Sequence, residues 1–265
     1  MLIPKTLYMY WHDGRPPPIV RRMVNLAKRK NPSWRVRVLT EKSKCEKPRG
    51  FEELQVQHQS DWYRIYYLAK HGGVWMDISC IHLHPLEMWV DMKSAALQGF
   101  QWPFRTKTME NWAFAAPANN AFVREWKEEF KGAIEMGFRV YQRRYDKSLL
   151  GTSPEDYDLP YLTQHAAWRA IRNRFPESRH PEFAVRLRSA VNFHTGPYGI
   201  LHAADYDADV FMRRLLKAGK KRFARMPFVK LRGGEREALE EAVDARDSTR
   251  ACGYILALLR ECSPK

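Results

Sequence analysis

Apolar and polar positions along this chain follow two periods, near 3.6 and near 2, and the switches between them mark out an α/β protein. Ile3 to Trp11 is rich in β-formers and stops at His12-Asp13-Gly14, which predicts a first strand. Arg15-Pro16-Pro17-Pro18 forces an extended connection, after which Ile19, Met23, Leu26 and Ala27 recur at helical spacing until Asn31-Pro32. Trp34 to Leu39 then reads as a second strand. Ser60 and Asp61 suit a helix N-terminus and Gly72-Gly73 its stop, with about three turns between. In Val74-Trp75-Met76-Asp77-Ile78-Ser79 the period changes to two, so Val74, Met76 and Ile78 face one side and Trp75, Asp77 and Ser79 the other. Past Pro85, Ala95 to Phe100 and Trp112 to Ala116 are predicted strands. Phe122, Trp126, Phe130 and Ile134 predict a helix over 119–136, a further helix runs from near Pro160 to Phe175, and Leu239, Val243, Ile255 and Leu259 indicate C-terminal helices.

Strands alternating with helices predict an α/β sheet with ligand at the strand ends. At 265 residues, 45% hydrophobic and 13% aromatic, the chain should fold as one compact unit. It has no run of eighteen apolar residues, and MLIPKTLYMYW lacks the features of a signal peptide, so a cytoplasmic location is expected. Cys45, Cys80, Cys252 and Cys262 show no C-x-x-C spacing, and neither a disulfide framework nor zinc is expected. The net charge of +15 implies an anionic partner: nucleic acid, anionic membrane or a phosphorylated small molecule. Arg213, Arg214, Lys217, Lys220, Lys221, Arg222, Arg225, Lys230 and Arg232 occur with no acidic residue among them. Interleaved with Phe223, Met226, Pro227 and Phe228, this stretch reads either as a membrane-surface contact near a lipid-linked acceptor or as a solvated basic face.

Asp77 and Ser79 leave their strand in the same direction, which suits a hard divalent cation carrying phosphate oxygens. The plainer reading is a strand-end carboxylate in a turn. Asp61 and Arg64, one helical turn apart, share a face with Leu68 and could pair with each other or point at a bound nucleotide. The acidic stretch GTSPEDYD offers Asp158 as a general base and Asp156 as a second, or else as residues capping the next helix.

The pattern Asp61, Arg64, Leu68, Gly72-Gly73, Val74-Trp75, Asp77 resembles the sugar-nucleotide-binding region of the capsular polysaccharide synthesis proteins and the related DXD-containing, Och1-like glycosyltransferases. Ile3-Pro4-Lys5 with Trp11, Asn31-Pro32-Ser33-Trp34, Glu110-Asn111-Trp112 with Ala115-Ala116-Pro117, and Val191 to Pro197 also resemble segments of these families. The resemblance covers roughly residues 3–200. It implies a GT-A-like single domain, with a Rossmann-like mixed sheet flanked by helices over 1–204 and a basic helical extension over 205–265.

By the same resemblance, Asp77 holds Mn2+ or Mg2+ and the nucleotide diphosphate, Ser79 ligates weakly or through water, and His194 or His202 completes the cation shell or binds a phosphate. Ser79 stands where most of the wider group carries a second aspartate, a feature of the capsular branch. Tyr10, Trp11, His12, Asp61, Arg64 and Gly73 would contact the nucleotide sugar, and Asn111 and Trp112 the acceptor or sugar. The expected activity is metal-dependent transfer of a sugar, preferably from a UDP-sugar, to a hydroxyl of a growing glycan, with inversion preferred over retention. The rival readings are a basic nucleic-acid-binding protein or nuclease, and an inactive glycan-binding relative.

Overall fold

In the computed structural model, which describes residues 2–101, 108–144, 161–189, 208–244 and 253–262, strand β1 (Thr6–Tyr10) leads into α1 (Pro18–Lys30) and β2 (Arg35–Leu39). Helix α2 (Val56–His71) is followed at once by β3 (Gly73–Met76) and β4 (Cys80–His82). Then come β5 (Leu97–Gln101), β6 (Met109–Ala116), α3 (Ala121–Met136), α4 (Phe138–Arg143), α5 (Thr163–Arg174) and β7 (Val185–Ser189). The C-terminal part holds α6 (Ala208–Lys217), β8 (Phe228–Lys230), α7 (Gly233–Asp244) and α8 (Tyr254–Arg260). The fold class is the expected one, mixed α/β with a central six-stranded sheet flanked by helices.

That sheet has the order β2-β1-β3-β6-β5-β7. β3 lies inside it, parallel to β1 with Leu7 opposite Val74, and antiparallel to β6 with Trp75 opposite Phe114. All four β3 residues are buried, as a strand covered on both faces requires. Its entry is set by two glycines. Gly72 has φ +63° and a Cβ there would lie 2.3 Å from Ala118 N; Gly73 has φ +107° and its Cβ would lie 2.6 Å from Thr6 O. Only a residue without a side chain fits either position.

The chain divides into two compact units. The first comprises residues 1–14, 37–76 and 90–189 and holds most of the large sheet with α2, α3, α4 and α5. Its core is aromatic: Trp62, Tyr63, Trp75, Phe114, Phe122, Trp126, Phe130 and Trp168 are all at most 2% exposed. The second comprises 15–36, 77–89 and 190–265. There α1 packs against β4, α7 and α8, so an early helix completes the core of the late segment. Asn31 at the end of α1 fixes this arrangement, donating from Nδ2 to Ala27 O at 2.8 Å and accepting from Leu86 N at 2.7 Å.

Two expectations are corrected. Helix α2 starts at Val56, so Ser60 and Asp61 lie inside it. The reason is that the Asp61 carboxylate finds side-chain partners and is not needed at a helix end. The strand after Gly73 stops at Met76, and the residues after Ser79 form β4, which pairs antiparallel with β8 in a separate two-stranded sheet. β8 lies inside the basic stretch, where no strand was expected.

Candidate active site

Asp77 directly follows β3, and in the second unit it is held from across the small sheet. The register of β4 on β8 sets Cys80 opposite Lys230 and Ile81 opposite Val229, and Leu231 N extends the ladder by donating to Ser79 O at 3.0 Å. This register turns Lys230 toward the Asp-x-Ser motif. Its ammonium donates to Ser79 Oγ at 2.7 Å and to Leu231 O at 3.0 Å, and it pairs with Asp77 Oδ2 at 3.3 Å. The Lys230 and Asp77 side chains are 13% and 24% exposed, so the pair is partly withdrawn from water yet reachable. Asp77 and Ser79 do converge, and the group they converge on is an ammonium.

This bears on the expected metal. Mg2+ or Mn2+ keeps several waters and takes one or two carboxylates beside substrate phosphates, so the single carboxylate and hydroxyl of the motif suffice in number; the obstacle is what already occupies them. Both are already bonded to a cation. A divalent ion sharing those oxygens with Lys230 would stand roughly 4 Å from the ammonium, a repulsion of about 8 kcal/mol at an effective dielectric constant near 20. Among the described residues no cluster of three His, Cys, Asp or Glu suits a metal. The described donors therefore do not fit the ion while Lys230 is in place. His194 and His202 lie outside the described residues, as do Asp156 and Asp158.

Asp61 and Arg64 belong to the first unit, where they pair with each other at 3.1 Å, both 5% exposed. Asp61 is also met by His58 Nδ1 at 3.3 Å and by Asn111 Nδ2 at 3.2 Å. Arg64 Nη1 donates to Asn111 O at 2.9 Å, and its guanidinium lies 5.4 Å from the Trp75 ring centroid. Gln164, with no exposed surface, closes the network. It accepts from Asn111 at 2.8 Å and donates to Asp61 O at 2.6 Å. This network ties α2 to β6 and α5 as a buried, hydrogen-bonded ion pair. Beside it lies His165, whose pKa burial lowers to about 4.

Tyr10 is buried, stacked on Tyr63 with centroids 5.0 Å apart, and its hydroxyl bonds to His12 Nδ1 at 3.0 Å. Burial pushes its hydroxyl pKa well up, so it stays protonated. His12 and Trp11 are half-buried, and His12 Nε2 lies 3.4 Å from Glu41. Trp112 is 4% exposed and stacked on Phe100 at 5.4 Å, a core position and not an open face. Asn111 is half-buried with its amide in the Asp61 network.

Sequence reasoning missed Lys230, His58 and Gln164. Lys230 was read with the basic stretch, and the only local signal for it is the short apolar run Phe228-Val229 before it. The membrane reading of that stretch loses its apolar half, because Phe223, Met226 and Phe228 are 1%, 5% and 1% exposed. The basic side chains of Arg213, Arg214, Lys217, Lys220, Lys221, Arg222 and Arg225 are exposed.

The model of the family described as capsular polysaccharide synthesis protein matches residues 2–132. The O-glycosyltransferase braB of Annulohypoxylon truncatum is 25% identical over 155 residues, which are 48% of this chain and 37% of that protein. The chain thus spans little more than a third of that relative's length. Among solved structures, the PaToxG glycosyltransferase matches at a TM-score of 0.49 and 13% identity, over 66% of this chain and 71% of that one. A glycosyltransferase involved in glycosylation of the major capsid of PBCV-1 matches at 0.47 and 12%, over 89% and 100%. The galactosyltransferase LgtC in complex with donor and acceptor sugar analogs matches at 0.48 and 11%, over 97% and 94%. At TM-scores below 0.5 these structural likenesses carry no weight.

Proposed function

From the match of residues 2–132 to the capsular polysaccharide synthesis protein family, we propose a glycosyltransferase of GT-A type that moves a sugar from a nucleotide diphosphate sugar, preferably UDP-linked, to a hydroxyl of a growing glycan. One observation carries the reading: Asp77 and Ser79, set by the double glycine and β3, converge on a single positive charge at the end of a sheet strand. A partly buried carboxylate–hydroxyl–cation cluster suits a departing diphosphate, since stabilising its developing charge is the largest demand of the reaction.

The chemistry divides among the residues as follows. The acceptor hydroxyl attacks the anomeric carbon, and in an inverting reaction its proton passes to a carboxylate base, for which Asp158 leads and Asp156 is second. Retention needs no base so placed and is the runner-up. The half-buried Trp11 and His12 follow β1, where a base would be met. Asp61, Arg64 and Asn111 hold α2 and β6 together within the first unit. Mn2+ or Mg2+ is the cofactor the family resemblance implies. Beside Lys230 the described donors do not fit that ion.

The experiment is release of free nucleoside diphosphate from a panel of UDP- and GDP-sugars by the full chain and by Asp77→Ala. One donor should be hydrolysed slowly without acceptor, and the variant should lose about 100-fold or more of that rate. No turnover of any donor, with no binding of UDP or GDP, would remove the transferase reading. Salt-sensitive nuclease activity would then put the nucleic-acid alternative in its place.

A further inference from the structure

We propose that Lys230 is the working cation of the Asp-x-Ser motif: its ammonium, in place of a divalent metal, meets the charge that develops on the leaving diphosphate. This rests on the transferase reading above and deepens it by assigning the leaving-group charge to one residue.

Three contacts place the ammonium. Its three N–H bonds meet Ser79 Oγ, Leu231 O and Asp77 Oδ2 at 2.7, 3.0 and 3.3 Å. One of these partners is backbone, fixed in its turn by the β4–β8 ladder, and a one-residue slip of that ladder would turn Lys230 to the opposite face. The group is thus aimed by strand pairing and not by a flexible stem alone.

Charge and hydrogen bonding agree with this role. One carboxylate and one ammonium form a neutral pair, whereas a second carboxylate at position 79 would call for a divalent ion. Ser79 Oγ accepts from Lys230, which leaves its own proton to donate to a phosphate oxygen. Asp77 becomes a positioning residue that holds the ammonium.

In the transfer, the bond between the sugar's anomeric carbon and the phosphate oxygen breaks, and its electron pair stays on that oxygen. The acceptor hydroxyl oxygen forms the new bond to carbon and gives its proton to the base. Lys230 stays protonated throughout and exchanges one of its N–H contacts for the oxygen that gains charge.

The test uses the full chain and its Lys230→Met, Lys230→Arg and Asp77→Asn variants, with thermal melts to establish folding. Binding of UDP and of GDP is measured by calorimetry, and hydrolysis of the donor panel is followed, each in EDTA and again with Mn2+ or Mg2+. The wild type should bind nucleotide in EDTA and turn over donor there within about twofold of its rate with metal. Lys230→Met should lose about 100-fold in kcat under both conditions, the cost of one removed transition-state donor, and Lys230→Arg should recover a large part. Asp77→Asn should lower kcat more than nucleotide affinity.

If wild-type binding and turnover vanish in EDTA while Lys230→Met keeps them with Mn2+, the inference falls and the transferase reading stands. Lys230 is then a placeholder that the metal displaces. If no donor turns over and neither UDP nor GDP binds in any arm, both fall. Should Lys230→Met fail to fold, the wild type in EDTA and Lys230→Arg decide between these outcomes.

Discussion

The two aspartates of the motif live in different surroundings, and that decides what each does when changed. Asp61 is 5% exposed and accepts from His58, Arg64 and Asn111. Removing it leaves the Arg64 charge buried without its counter-ion, so Asp61→Ala should cost about 3–5 kcal/mol of unfolding free energy, read from the denaturant midpoint. A rise in donor KM at unchanged stability would instead place Asp61 against the nucleotide. The neighbouring His165 makes stability depend on pH. Burial is the main cause of its lowered pKa, with the Arg64 charge adding to the effect and the Asp61 charge opposing it. A histidine held neutral in the fold takes up its proton only on unfolding. Its contribution is therefore intact above about pH 6.5 and is lost as pH falls toward about 4, with a slope of up to about 1.4 kcal/mol per pH unit. Unfolding measured at pH 7 and pH 5 should show this loss, and His165→Gln should flatten it.

Among the elements, β3 is the one on which the motif depends, and its entry tolerates nothing larger than glycine. Gly73→Ala would drive a methyl group to 2.6 Å from Thr6 O at φ +107°, so the β1–β3 pairing must open. The expected outcome is a fall in melting temperature of about 10 °C or more, or failure to fold, whereas Gly132→Ala, a helical position with open space around it, should raise it by about 2–4 °C. Much of this level was legible in the sequence. Alternation of period, the double glycine and the four-residue spacing of Phe122, Trp126, Phe130 and Ile134 located β3 and α3 to within a few residues, because those signals are local. The start of α2 was not legible, since the partners that draw Asp61 inward, Asn111 and Gln164, are remote in sequence. β8 escaped for a similar reason. Three residues inside a basic run form a strand only because β4 supplies the other half of the ladder. At the site, Asp77 and Ser79 were visible as a pair, but the identity of the cation they meet could not be read from either one.

For the whole molecule, the charge of +15 sets its encounters. No described helix is long and apolar enough to cross a membrane, and the apolar residues of the basic stretch are turned inward. Contact of this described basic stretch with an anionic surface would then be Coulombic. Co-sedimentation with phosphatidylserine vesicles should be detectable at about 50 mM salt and abolished by about 300 mM, without the blue-shifted tryptophan emission that insertion produces. Order of synthesis adds a consequence of the β4–β8 pairing. Ser79 and Lys230 are 151 residues apart, so at roughly 5–20 residues per second a ribosome would release the Asp-x-Ser segment some 8–30 s before its ammonium partner. During that interval β4 has an open edge and Asp77 has no ammonium to meet. If Lys230 is the working cation, the nascent chain is inert at this centre until residue 230 has been made, and arrest before it would yield a product with Asp77 and Ser79 in place and the charge centre unfinished.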